Sequence, residues 1–495
     1  MREIGDFIDK AERFLIFQVF QVVRAARSYI SWTGIDMPHA SRLRASFGFI
    51  SVAFLLVAAL IPLSASFADQ APSGVLEVGA AKVDMTLEPN EVQFFLTGYG
   101  GRKKVPAAGV LDHVYARAVV LSDSRGRTVA LVSADLCYIT GEVRDSVIER
   151  LASFGFDTDN LLIAATHTHS SIGGYDRTFL ARKLFGEFDE RVFEHVVSSI
   201  ASAVIRAKES MRPARMAVAT GILKGMNRNR RNPAFDIETG RWDPSVQASP
   251  EEYPTDERMT VVLFEGTDGA PVAVLIRFTA HPTVLSLKNH YLSADFPGVL
   301  CGRVERALGG GAVAMFLNGS LGDVAPIFDW EDSVEKEIEH VREYGNELAA
   351  RALELLQKAE FVPSVELDAS STAPRLPAPI IRPLLRLRVP VPLTKMFYTE
   401  PYTTFQVIRI GEVVFLAIPG EPTTEFGREL ESICPREFKC MVVAPANGYL
   451  GYFVTPEQYK QGGYEANVSF FGPRAVDWVR YHVSSLLAEV LFYNR

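Results

Sequence analysis

Leu161-Leu162-Ile163-Ala164-Ala165 runs directly into Thr166-His167-Thr168-His169-Ser170. Five apolar residues with no polar alternation read as a short strand buried on both faces. In α/β folds such strands deliver functional groups at their carboxyl ends, where sites gather. Residues i and i+2 of an extended segment project to the same side, so His167 and His169 can face one pocket. A metal site with an open coordination position fits this placement, one imidazole ligating and the other supporting it. A strand end with two hydrogen-bonded structural histidines fits it too. Ile172-Gly173-Gly174-Tyr175 follows, a loop whose glycines let backbone pass close to a bound group.

Working outward, two further apolar strands end on candidate ligands. Phe278-Thr279-Ala280-His281-Pro282 closes one, with proline setting the chain's exit. Ile418-Pro419-Gly420-Glu421 delivers a carboxylate after a Pro-Gly turn. A tyrosine-rich stretch, Asn447-Gly448-Tyr449-Leu450-Gly451-Tyr452, continues to Gly463-Tyr464-Glu465. Each is ambiguous alone; what three of them share is a position just after a buried strand.

The rest of the chain alternates strand and helix patterns. Strands are expected over 75–83, 116–121 with 128–134, 161–165, 216–220, 259–264, 272–279 and in a hairpin over 406–417. Helices are expected over 141–151, 188–207, 334–356, 423–433 and 476–493. Val192, Val196, Ile200 and Val204 mark the apolar face of the second of these. The proline-rich stretch 374–401 excludes a long helix and reads as an extended excursion, either lining a cleft or forming an ordinary edge loop. This pattern predicts a layered α/β catalytic domain over 69–495, with a mixed β-sheet core flanked by helices.

Composition narrows the class. With 48% hydrophobic and 22% charged residues the chain is globular, and a net charge of −8 without a basic block excludes nucleic acid as a partner. Residues 47–63 form an apolar run after Arg42 and Arg44, and Ser66 and Ala68 supply small residues before Asp69. These are the parts of a secretory signal. Residues 37–68 are therefore expected to be a signal peptide, or else an anchor through 47–63, preceded at 1–36 by an amphipathic extension or a misassigned start. Either way the catalytic region faces an extracytoplasmic compartment, periplasmic or secreted. Cys434 and Cys440 are close enough in sequence to bridge there, while Cys137 and Cys301 read as buried thiols. With no CxxC or Cys-His spacing, any metal must use His and oxygen ligands.

Six motifs in order resemble the neutral (non-lysosomal) ceramidase family over residues 76–473: ATHTHS with GGY (165–175), Asn227-Arg228, AHP (280–282), NGSLGDVAP (318–326), PGE (419–421) and GYLGYFVTPEQYKQGGYEA (448–466). The resemblance implies a zinc amidase that cleaves the N-acyl bond of ceramide or a ceramide-like N-acyl lipid by attack of zinc-bound hydroxide, in association with a membrane surface. It makes His167, His281, Glu421 and Tyr452 the zinc ligands. Arg228 and Tyr464 would contact the substrate amide or its oxyanion, His169 would handle protons, and Gly173, Gly174 and Asp323 would bind substrate. Asn227-Arg228 is followed by Asn229-Arg230-Arg231 where the family has Ser-Pro, so Arg230 competes with Arg228 for the arginine role. The family's Gly-Asp-Val-Ser-Pro-Asn reads Gly322-Asp323-Val324-Ala325-Pro326-Ile327, removing a serine proposed as a nucleophile. Members of the family also carry a β-sandwich domain after the catalytic one, and the resemblance here covers the catalytic domain only. Two other readings stay open: a zinc hydrolase of another ester or amide, and a non-catalytic lipid-binding envelope protein.

Overall fold

In the computed structural model, described over residues 76–493 except 103, 247, 249–250, 382–386 and 389–400, Leu161–Ala165 is a strand with all five residues buried. It forms one edge of a nine-stranded sheet. From the far edge the order is Val313–Asn318, Pro271–Phe278, Arg258–Gly266, Arg212–Ile222, Leu76–Asp84, Tyr115–Ser122, Thr128–Ala134 and Leu161–Ala165, with Glu360–Phe361 added beside Arg212–Ile222. The inner pairs are antiparallel, and the outermost pair at each edge is parallel. The two edge strands therefore run with their neighbours, and both release the chain where Pro271–Phe278 and Thr128–Ala134 also end.

An edge strand that is apolar on both faces needs cover for its free backbone groups. Residues 445–447 provide it. Ala165 N donates to Pro445 O (3.0 Å), Asn447 N to Ile163 O (2.8 Å), and Ile163 N to the Asn447 side-chain oxygen (3.0 Å). This cover also draws the tyrosine-rich loop against the His167 strand end.

A second sheet, Leu367–Thr372, Phe405–Ile410, Val413–Ala417 and Lys439–Val443, packs on the first. Leu162, Ala164, Phe264, Ile408, Phe415 and Met441 meet between them. Helices cover the outer faces: Gly141–Leu151 and Glu190–Glu209 on one half of the large sheet, Asp295–Leu308 and Val334–Leu356 on the other. Thr424–Glu431 and Ala475–Ala488 cover the small sheet. Val192, Val196, Ile200 and Val204 are all buried, as their spacing requires, and the Asp189 carboxylate caps that helix by accepting from Arg191 N. The mixed α/β architecture expected from the sequence is the one observed.

Several elements escaped the sequence reading, and three of them position the site. Asp295–Leu308 carries Pro297, Gly298 and Gly302, which depress helix propensity. Pro297 lies in the first turn, where its missing N–H has no intrahelical acceptor to lose. Val313–Asn318 and Lys439–Val443 are short apolar runs beside turn residues, and only pairing with Pro271–Phe278 and Val413–Ala417 defines them as strands. Of the stretch 374–401, Leu376 lines the main cleft, while 382–386 and 389–400 lie outside the described residues. The expectations for residues 1–68 also lie outside them. Among the described residues no helix is long and apolar enough to cross a membrane. Cys434 and Cys440 are bonded, and Cys137 and Cys301 are buried thiols.

Arg117 and Asp135 form a buried ion pair inside the large sheet, at 2.6 Å and with side chains 3% and 0% exposed. Asp135 Oδ2 also accepts Tyr115 N (2.9 Å), so the carboxylate is tied into the strand ladder. Removing one partner strands a charge in a medium that cannot solvate it. Arg117→Met is expected to lower unfolding free energy by about 3–5 kcal/mol. The double variant Arg117→Met/Asp135→Leu should recover much of that loss in a denaturant titration.

Candidate metal centre

Four chain segments converge beyond the strand ends. Thr166 N donates to Ala134 O (2.9 Å) and His167 N to Leu136 O (2.9 Å), so the chain leaves the Leu161–Ala165 strand in a bonded turn. His167 takes a φ of 73° there, a left-handed conformation that costs a non-glycine residue about 1–2 kcal/mol. The strand pleat expected to align His167 with His169 therefore ends at Ala165. It is the turn that brings the two Nε2 atoms to 3.2 Å.

The imidazoles are oriented by backbone. His167 Nδ1 donates to Cys137 O (2.6 Å), and His281 Nδ1 donates to Val324 O (3.0 Å). Carbonyl acceptors require the hydrogen on Nδ1, which leaves both Nε2 lone pairs facing inward. Glu421 Oε2 lies 3.0 Å from His281 Nε2 and 3.5 Å from His167 Nε2. Its Oε1 accepts the Tyr449 hydroxyl at 2.6 Å. Glu421 pairs in parallel with Tyr452, so the two side chains issue from adjacent short strands. The Tyr452 hydroxyl accepts Arg230 Nη2 at 2.9 Å. His167 and Glu421 are each 1% exposed and His281 0%.

The electrostatics favour a cation at the centre. Burial alone would lower the His167 pKa, but the Glu421 carboxylate and Cys137 together outweigh it and hold the imidazole at about 10. Burial would raise Glu421, and the His167 and His281 imidazoles pull it well below the usual carboxylate range. The protein alone thus places a proton's charge between His167 and Glu421, where a metal cation would put its own. Ligand atoms of His167, His281 and Glu421 lie within 4.8 Å of one another, so the donor set fits a metal. Burial holds the Tyr452 phenol protonated well above its ordinary range.

His169 completes the inner group. Its ring meets Tyr99 edge-on at 4.7 Å, Arg102 Nη1 donates to its carbonyl at 2.9 Å, and its Nδ1 has no hydrogen-bond partner. Burial, then the His167 and His281 charges, keep its pKa well below the ordinary value, so it is neutral at physiological pH. Tyr464, 47% exposed, stands at the mouth, with its ring 5.6 Å from that of Tyr452 and 5.4 Å from the Arg230 guanidinium. A cleft of about 280 Å³ opens on His167, His169, Glu421, Tyr452 and Tyr464, walled by Leu180, Leu184, Phe185, Leu376, Phe470 and Phe471.

Four expected site residues stand elsewhere. Arg228 points away to Asp329 (2.5 Å) and Phe328 O (3.1 Å). Arg230 takes the place beside the cluster, because its strand ends at Asn229 and Arg230 N bonds to Asp323 O (2.8 Å). Gly173 and Gly174 do not line the cleft: a Cβ on Gly173 would meet Phe185 O at 2.6 Å and Phe95 O at 2.7 Å, so this loop is close-packed structure. Asp323 spends its oxygens on Thr424 N (2.7 Å), Thr424 Oγ1 (2.9 Å) and Asn229 Nδ2 (3.1 Å). Ala325 lies in a short strand paired with Asn227–Asn229, and it is the neighbouring Val324 carbonyl that holds His281.

Two residues were overlooked. Tyr449 was quoted but given no role; its spacing of three from Tyr452 was the available signal. Asn318 opens the NGSLGDVAP motif and ties strand ends together. Its Nδ2 donates to Ala280 O (2.7 Å) and Thr166 O (3.3 Å), its Oδ1 accepts Ala280 N (3.2 Å), and its own carbonyl accepts Ala444 N (3.1 Å).

Fold and site together define a mixed α/β protein with a buried His/Glu cluster able to hold a metal. A family profile described as "Neutral/alkaline non-lysosomal ceramidase, N-terminal" matches residues 76–340 and 365–480. The chain belongs to that family. It is 31% identical over 277 residues to neutral ceramidase B of Dictyostelium discoideum, covering 54% of this chain and 38% of that one. It is 29% identical over 327 residues to the neutral ceramidase of Pseudomonas aeruginosa, covering 64% and 47%. The chain thus spans less than half the length of these two relatives. The neutral ceramidase of Mycobacterium tuberculosis matches over 80% of this chain and 74% of its own at 26% identity. The crystal structure of the Pseudomonas aeruginosa protein superposes with a TM-score of 0.72, at 24% identity and 84% and 74% coverage.

Asn318→Ala would leave the Thr166 and Ala280 carbonyls and the Ala280 N–H buried without partners. We expect a loss of about 3 kcal/mol in stability and about 10–100-fold in metal affinity, as for other supports of metal ligands. Denaturant titration and competition with a fluorescent chelator measure the two effects.

Proposed function

We propose that this chain is a zinc-dependent amide hydrolase that cleaves the N-acyl bond of ceramide or a ceramide-like N-acyl lipid. The observation that carries the reading is the convergence of His167 Nε2, His281 Nε2 and Glu421 Oε2, with His167 and Glu421 lining a cleft that has an apolar wall. Two imidazoles, a carboxylate and a phenol are a donor set suited to zinc. A bound zinc ion supplies Lewis acidity toward an amide carbonyl and lowers the pKa of water held beside it.

The protein's own groups supply the rest. Leu180, Leu184, Phe185, Leu376, Phe470 and Phe471 give an acyl or alkyl chain a surface that excludes water. A cleft of that lining favours a lipid over a small polar N-acyl compound. Arg230 is held by Glu465 (2.9 Å), Gly322 O (2.7 Å) and Tyr452 (2.9 Å), a fixed cation beside the cluster where an amide oxygen gains charge. Tyr464 can donate to the same oxygen from the mouth. His169, neutral and with an unpartnered Nδ1, can accept a proton and return it to the departing amine. Ala325 offers no nucleophile, and none of these roles needs one there. The metal ligands and the arginine are all retained, which favours an enzyme over a binding protein.

Chelation with 1,10-phenanthroline should abolish N-acyl hydrolysis, and added zinc should restore it. Arg230→Gln should lower kcat about 10²–10³-fold with metal content unchanged, while Arg228→Gln should change it little. Full hydrolysis by metal-free protein contradicts the proposal, and a panel of N-acyl, ester and phosphoester substrates tests the bond assigned.

A further inference from the structure

A second cavity, of about 590 Å³, shares no lining residue with the cleft. It lies where the carboxyl end of the Thr424–Glu431 helix meets the 434–440 loop and the strands that carry Thr220, Thr260 and Arg277. Its charged lining is Arg258, Arg277, Arg428, Arg436 and Lys439 against a single acid, Glu431. In a chain with a net charge of −8, composition alone does not produce such an excess.

Three of the cations are neutralised. Arg258 bonds to Asp256 (2.7 Å) and Glu431 (2.5 Å), Arg277 to Asp256 and Glu431 (3.3 Å), and Lys439 to Glu412. Arg428 and Arg436 have no carboxylate partner among the described residues. Arg428 donates to Thr255 O (2.7 Å), and Arg436 makes no hydrogen bond there. The carbonyl end of the Thr424–Glu431 helix opposes an anion, but it amounts to about half a charge against two unpaired guanidinium groups.

We infer that this cavity binds a phosphate-bearing ligand through Arg428 and Arg436. Two guanidinium groups without a carboxylate partner match a phosphate monoester, which carries about −1.5 to −2 at neutral pH, better than they match a single carboxylate. Guanidinium also pairs with phosphate in bidentate geometry. Phe438, Pro435 and Met441 give the rest of the ligand an apolar floor, and Thr220 and Thr260 line the cavity with hydroxyls. The Cys434–Cys440 bond closes the loop that carries Arg436, so less freedom is lost when a ligand settles. The inference does not depend on which bond the metal centre hydrolyses.

The test is calorimetric titration of the full chain with glycerol phosphate at constant ionic strength, beside co-sedimentation with vesicles containing phosphatidic acid, whose headgroup is a phosphate monoester. Saturable binding that weakens at least tenfold in Arg428→Glu/Arg436→Glu supports the site. Neither arginine holds an internal ion pair, so the variant's melting temperature should match the parent; Arg428→Gln/Arg436→Gln serves if charge reversal disturbs folding. Loss of vesicle binding alone would identify a lipid headgroup, and loss of glycerol phosphate binding alone a soluble phosphate ester. Equal binding by parent and variants, or no binding of either probe, overturns it.

Discussion

The buried amide of Asn318 is the point on which the arrangement turns. A polar side chain with 0% exposure must satisfy its donors and acceptors within the protein. Asn318 does so by bonding backbone groups at the ends of other strands, at Thr166 and Ala280, while its main-chain carbonyl accepts Ala444 N. One residue past Thr166 stands His167, one past Ala280 stands His281, and Ala444 begins the segment leading to Tyr449 and Tyr452. A single residue, through its side chain and its carbonyl, therefore sets the spacing of groups that lie far apart in sequence. Asp323 plays a similar part lower in the site, joining the helix that follows Glu421, at Thr424, to the strand end at Asn229 that precedes Arg230.

That knot works because the two sheets bring the strand ends to one place. The large sheet has a parallel pair at each edge, and residues 445–447 close the Leu161–Ala165 edge. The small sheet adds its own parallel pair, Val413–Ala417 with Lys439–Val443, whose ends deliver Glu421 and the tyrosine-rich loop. Apolar packing between the sheets, through residues such as Phe264, Phe415 and Met441, fixes one against the other. The left-handed conformation at His167 is tolerated because its N–H and Nδ1 are both anchored to the Leu136–Cys137 backbone.

Much of this was legible in the sequence. The Leu161–Ala165 strand, the long amphipathic helices and the mixed α/β class follow from apolar periodicity, a local property that burial enforces. His167, His281, Glu421 and Tyr452 stood out because each follows a buried strand or turn and the family resemblance joined them, and the structure brings them together. What was hidden depends on tertiary pairing. Val313–Asn318 is too short to declare itself, and Asn318 bonds to backbone carbonyls that carry no sequence signature. The choice between Arg228 and Arg230 rested on where a three-residue strand ends, which its pairing with Val324–Pro326 decides. Gly173 and Gly174 suited a ligand loop by residue type, yet close carbonyls exclude a Cβ at Gly173 and a φ of 94° favours glycine at Gly174, with no ligand required at either.

The proposed centre would hold its metal through nitrogen and oxygen alone. A competing buried set, Cys137, His167 and His169, also gathers within 4.8 Å and would put sulfur on the metal. X-ray absorption at the zinc edge on the reconstituted protein separates the two. A shell of only N and O scatterers at about 2.0–2.2 Å, with an outer-shell imidazole signature of two histidines, is expected. A scatterer at the Zn–S distance of about 2.3 Å, or failure to retain zinc at all, would contradict it.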